Sequence, residues 1–108
     1  GTRWRLTEVN GTAVSTTRVY IEFDDKAKRF SGDGGCNRIA GAFQVNGMQI
    51  KFSKAISTKR ACLDNNVQQI ETNFIKGLDE ASRFEPEGDT LRMYAGDRSV
   101  LTFKRDKQ

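Results

Sequence analysis

The chain has 108 residues, with 18 Lys and Arg against 14 Asp and Glu, a net charge of +4 and no histidine. This length predicts one domain over residues 1–108, burying somewhat under ~70% of the surface its unfolded chain exposes and needing no metal to fold. No apolar run approaches the ~20 residues of a membrane-spanning helix, and the short, regular apolar runs argue against disorder.

Period-two patterning opens the chain. Trp4 and Leu6, then Val19, Ile21 and Phe23, alternate with polar residues as strands do, with Asn10-Gly11 and Asp24-Asp25 as turns. The Asp pair lacks the further spaced oxygens of a calcium loop, so it reads as a turn. Next comes the segment Gly32-Asp33-Gly34-Gly35-Cys36-Asn37-Arg38-Ile39-Ala40-Gly41, with four glycines and one of only two cysteines. Such density specifies positive φ or close approach of another segment. A phosphate nest is one reading, but the Gly-Lys-Ser/Thr of a P-loop and the strand-turn-helix of a dinucleotide site are missing. A bulge or tight strand corner that curves the sheet is the other. Asn37 is read as holding the turn through side-chain bonds to the backbone, and Arg38 as lying in solvent.

Phe43 and Val45, then Met48, Ile50 and Phe52, form a hairpin about Asn46-Gly47, expected as a type I′ turn with inward apolar residues and Lys51 facing out. From Asp64 to about Ser82 the spacing changes to three and four: Val67, Ile70, Phe74, Ile75, Leu78 and Ala81 share a helical face. Asp64, Asn65 and Asn66 can cap its start, and Pro86 bars continuation. Gly77 costs ~1 kcal/mol inside a helix, so it marks a site where a strand crosses closely. Leu91 and Met93, then Leu101 and Phe103, close the pattern, with turns at Glu87-Gly88-Asp89 and Gly96-Asp97. One helix inserted late among strands gives an α+β domain: a curved, barrel-like antiparallel sheet of about seven to eight strands with one main α-helix packed on it.

Two cysteines allow a disulfide, two buried thiols or a redox pair; the spacing excludes CxxC, and without histidine a zinc site is poor. A Cys36–Cys62 disulfide is the preferred reading and buried thiols the alternative, the bridge contributing ~3 kcal/mol and implying an oxidising compartment. Cys36 as a nucleophile lacks the usual base, so no catalysis is expected, nor any metal or cofactor. The basic groups Lys26/Lys28/Arg29, Lys59/Arg60 and Lys104/Arg105/Lys107 are mixed with acids, which favours a solvated face, with a weak, sequence-blind nucleic-acid surface as the alternative. The aromatic set Trp4, Phe23, Phe30, Phe43, Phe52, Phe74, Phe84 and Phe103 reads as core, with a small-ligand cavity as the alternative. Tyr20 and Tyr94 fall in the outward phase and are the candidates for a partner surface. Gly1-Thr2 stands directly before Arg3-Trp4 without an initiator Met, so any targeting segment is expected outside this chain.

These residues resemble the META domain, the HslJ-like family formerly classed as of unknown function. The resemblance rests on Trp4-x-Leu6, Ile21-Glu22-Phe23, Gly32-x-x-Gly35-Cys36-Asn37-Arg38-x-x-Gly41-x-Phe43, Thr58-Lys59-Arg60-Ala61-Cys62, the helix with Glu71, Phe74 and Leu78, Leu91-x-Met93 and Leu101-x-Phe103. It implies a small α+β domain found in bacterial envelope lipoproteins or periplasmic proteins, linked with stress or drug tolerance, without an accepted enzymatic activity or agreed ligand. Its fold is also similar to that of secretin pilot proteins, which bind a partner's peptide. The expected partner is accordingly an unidentified protein or a small apolar ligand of the cell envelope, and the resemblance allows a lipid anchor on the precursor. Gly32, Gly35, Cys36, Asn37, Arg38, Gly41, Thr58 and Cys62 carry the family motif, in a structural or a binding role. Arg60 stands where many relatives carry an apolar residue, which leaves open whether this part of the loop packs inward.

Overall fold

The computed structural model describes residues 2–106; Gly1 and Lys107, named above, lie outside them. Its elements are β1 (Arg3–Val9), β2 (Thr12–Ala13), β3 (Tyr20–Asp24), β4 (Arg29–Asp33), β5 (Arg38–Asn46), β6 (Gln49–Phe52), β7 (Ile56–Ser57), α1 (Asn65–Glu80), β8 (Arg83–Glu87), β9 (Thr90–Ala95) and β10 (Arg98–Arg105). Eight of the strands form a closed antiparallel barrel in the order β1-β3-β4-β5-β6-β8-β9-β10, with β10 returning to β1. Two short strands lie outside the ring, β2 on β1 and β7 on β5. The fold is α+β. Among the described residues no helix is long and apolar enough to cross a membrane.

Alternation turns one side chain in two toward the barrel axis. Leu6, Ile21, Met93, Leu101 and Phe103 meet there, each under 2% exposed. Glycine replaces a side chain where space is short: Phe30 lies over Gly41, and a Cβ on Gly32 would fall 2.1 Å from the Tyr20 carbonyl oxygen. These gaps let the sheet curl into a barrel.

The helix begins one residue later than the first capping candidate. Asp64 is the N-cap, its carboxylate accepting from the N–H groups of Asn66 (3.0 Å) and Val67 (3.1 Å). Val67, Ile70, Phe74 and Leu78 are buried, and the Phe74 ring meets Phe103 at 6.1 Å, nearly edge to face. The helix stops at Glu80 because Ala81 turns extended, well before Pro86, which belongs to β8. Gly77 does mark a close strand: a Cβ there would lie 2.8 Å from Cδ2 of Leu101 on β10. Gly77→Ala is therefore expected to destabilise by about 1 kcal/mol net, overpacking outweighing the gain in helix propensity, as read from the urea midpoint. Equal or greater stability shows that Leu101 can rotate aside.

Two sequence expectations need correction. The β5–β6 turn is Gly47-Met48, closed by the pair Asn46 and Gln49, with positive φ at Gly47 (61°) and not at Asn46. Glycine in the first central position suits a type II′ turn, while the I′ pattern of two positive φ values occurs at Asn10 (52°) and Gly11 (81°). The shift carries Met48 to the turn tip, 58% exposed, and leaves Val45 at the barrel's rim, 45% exposed.

The barrel has one weak seam. β6 and β8 share the single ladder pair Gln49 with Arg83, supplemented by Ile50 N–H to Ser82 O (3.1 Å) and Phe84 N–H to Met48 O (2.9 Å). Two residues after Phe84, Pro86 faces the same flank without an N–H to donate. Pairing has already ended at Phe84, where β6 reaches its turn at Gly47-Met48.

Candidate functional site

The glycine-cysteine segment is the turn between β4 and β5. Gly35 carries φ +109°, a conformation that L side chains rarely adopt, and a Cβ at Gly34 would fall 2.5 Å from Oε1 of Glu71. Both glycines let the turn settle onto the helix. Glu71 Oε1 then accepts from the N–H groups of Cys36 (3.0 Å) and Asn37 (2.6 Å), and Oε2 accepts from Asn37 Nδ2 (2.8 Å). The other end of the Asn37 side chain reaches the next loop, where Oδ1 accepts from Thr58 Oγ1 (3.0 Å) and from Arg60 N–H (2.7 Å). Arg38 donates its N–H to Thr58 Oγ1 (3.1 Å) and receives the Thr58 N–H on its carbonyl (3.1 Å). A disulfide joins Cys36 to Cys62, with Cα atoms 5.4 Å apart.

Asn37 is thus the node at which turn, loop and helix meet. The fold brings Gly35, Cys36, Asn37, Arg38, Thr58 and Cys62 together; Gly32 and Gly41 sit farther along β4 and β5, where they serve curvature. The side chains of Arg38 and Arg60 are exposed, so this part of the loop does not pack inward. Glu71 was quoted only as part of a resemblance, without a role. Its signal was present: a carboxylate in the stripe Val67, Glu71, Phe74, Leu78 sits where an apolar residue is expected, and a buried charge needs hydrogen-bonding partners.

Tyr20 and Tyr94 are on the outside but not together. They stand on β3 and β9, three strands apart around the barrel. Each is covered by a guanidinium, Arg3 at 3.8 Å and Arg83 at 4.0 Å from the ring centre. A hydrogen bond to Glu22 (3.1 Å) raises the pKa of Arg3.

The opposite end of the barrel, ringed by the β3–β4, β5–β6 and β8–β9 turns, is open. Trp4, Phe23, Phe43, Val45, Phe84 and Met93 line a recess there of about 450 Å³. It opens beside the short β6–β8 seam, and Pro86 is part of its wall. Within its wall Phe23 packs on Phe43 at 5.1 Å, and the buried Phe30 packs on Phe52 at 5.3 Å. Trp4, Phe23 and Phe84, expected in the core, are only half-buried because they form this mouth. The Arg105 guanidinium lies 5.0 Å from the Trp4 ring and the Lys28 ammonium 6.0 Å from Phe43, which places cations on the rim.

The disulfide is consistent with an extracytoplasmic location. No curated protein matches the chain. Among solved structures, a protein from Burkholderia xenovorans determined by NMR is 22% identical with a TM-score of 0.78, covering 99% of this chain and 83% of that one. A second NMR structure is also 22% identical with a TM-score of 0.72, covering 95% of this chain and 87% of that one. The crystal structure of a DUF4847 family protein from Bacteroides vulgatus ATCC 8482 is 16% identical with a TM-score of 0.70, covering 98% of this chain and 93% of that one. These similarities describe the fold alone. The family model for the META domain matches residues 1–108, and the chain belongs to the META-domain family.

Proposed function

We propose that the chain is a non-catalytic binding module of the bacterial cell envelope that takes an apolar segment of a protein partner at the open barrel mouth, supporting envelope integrity under stress. The observation that carries this reading is the recess itself. Its wall is mostly aromatic and aliphatic, with Thr2 and Asp25 as polar members; Val45 in that wall and Met48 at the tip of the adjoining β5–β6 turn are exposed. The absence of histidine, the tying of both thiols into one bridge and the engagement of both Glu71 oxygens by the turn support a non-catalytic role. A small apolar ligand is the second reading, favoured by a volume of about 450 Å³, within the range of small-molecule sites.

Trp4 is the chain's one tryptophan and part of the recess wall, so its emission reports occupancy. A photocrosslinker at Met48 should capture the partner from native envelope, and Val45→Asp should weaken capture and the accompanying Trp4 emission change at least tenfold, as expected for a charge placed in an apolar contact. Organic extraction of the native protein distinguishes the second reading: a stoichiometric lipophile whose removal shifts Trp4 emission supports it. Capture undiminished in the Val45→Asp variant overturns the mouth as the binding site.

A further inference from the structure

The loop that the Asn37 node and the disulfide fasten to the barrel carries two large apolar side chains that are mostly exposed. Leu63 is 98% exposed and Ile56 71% exposed, by far the most exposed large apolar residues of this end. Both lie on the segment that runs along the start of β5, Ile56 paired with Ala40 and Cys62 bridged to Cys36. The hydrogen bonds between Arg38 and Thr58 and from Arg60 to Asn37 hold the same loop against the turn, and Arg38, Lys59 and Arg60 on them are all exposed. Arg18, on the approach to β3, borders a recess shared with Gly35 of the same turn.

None of these four cations has an ion-pair partner among the described residues, although Arg3, Arg5, Arg83, Arg98 and Arg105 all do. The acids nearby accept from backbone donors instead of pairing with these cations. Asp33 accepts from Gly35 N–H (2.7 Å), Asp64 caps the helix, and Glu71 holds the turn. The four cations therefore stand exposed and without a direct ion pair on the loop and turn that carry two protruding aliphatic side chains.

We propose that this disulfide-stapled end docks on an anionic lipid bilayer, Leu63 and Ile56 entering the headgroup region and Arg18, Arg38, Lys59 and Arg60 facing lipid phosphates. A bilayer fits better than nucleic acid because the loop offers aliphatic tips and no aromatic ring on which a base could stack, the nearby Tyr20 being covered by Arg3. It fits better than a protein because the protruding side chains, Leu63 and Ile56, are aliphatic, without the aromatic anchors of a protein hot spot. The barrel mouth lies at the opposite end, so the two surfaces are independent and fail independently.

The test is flotation of the whole chain with phosphatidylcholine vesicles, with and without phosphatidylglycerol, at low and at physiological salt. Binding to the anionic vesicles, weakening as salt rises, is expected. The combined Arg38→Gln, Lys59→Gln and Arg60→Gln variant should lose roughly a hundredfold in partitioning, about fivefold per charge. Leu63→Ser should lose about tenfold. All four positions are exposed and contribute only backbone groups to the node, so unchanged thermal melting certifies the variants. Three outcomes overturn the proposal: no flotation with anionic vesicles, flotation indifferent to Leu63→Ser and Ile56→Ser together, or tighter binding to a single-stranded oligonucleotide than to the vesicles.

Discussion

Phe74→Ala should lower the stability of the folded chain by about 3–5 kcal/mol, a third or more of what a small domain commonly has. The Phe74 side chain is fully buried and is the deepest aromatic contact between helix and barrel, set edge to face against Phe103. Truncation loses the transfer energy of the ring and leaves a cavity that the strands of a closed barrel cannot collapse to fill. The measurement is the urea midpoint at unchanged slope. A loss under about 1 kcal/mol contradicts a helix docked through this residue.

Glu71→Ala is expected to cost about 3 kcal/mol or more, by a different mechanism. Glu71 is 7% exposed and accepts from three donors, two of them backbone N–H groups of the turn. Deleting the carboxylate leaves those donors without a partner, at about 1–3 kcal/mol for each one that water does not reach. Glu71→Gln sharpens the argument. Its carbonyl oxygen can still serve Cys36 and Asn37, but its amide N–H₂ then faces the Asn37 amide, donor against donor. Asn37 cannot turn over to relieve this, because its oxygen is held by Thr58 and Arg60. Glutamine should therefore recover only part of the loss, again read from urea unfolding. An alanine variant within 1 kcal/mol of the parent means that the disulfide alone holds the turn.

The strands with two or three alternating apolar residues were legible from the sequence, as was the helix, because burial on one face writes a period into the chain. β4 and β8 were not. The inward positions of β4 are Phe30 and Gly32, and those of β8 are Phe84 and Pro86, so neither shows a repeated apolar residue. At Gly32 the missing side chain is the structural point, since it admits the Tyr20 backbone, and at Pro86 it is the missing N–H, on a flank of β8 that β6 has already left. The Gly-Cys-Asn turn was recognisable as specified structure, but Asn37 was read as bonding to backbone alone, whereas its side chain meets the Glu71 carboxylate and the Thr58 hydroxyl as well as the Arg60 N–H. The turn's anchor was not recognisable, because Glu71 lies 34 residues from Asn37 in sequence and only the docked helix joins them. The mouth was hidden for the opposite reason: its residues have the pattern of core residues, and closure of the barrel decides which of them remain at the rim.

The pair that shuts the barrel joins its first strand to its last, Thr7 bonding to the Thr102 carbonyl across 95 residues of sequence. A chain still emerging from the ribosome has β1 paired on one flank only, and that open flank persists until β10 is made. Closure is therefore the most non-local event in folding, and it sets the pace. A chain cut short before β10 keeps two complementary free edges, on β1 and β9, that can find each other in a second molecule as readily as in their own.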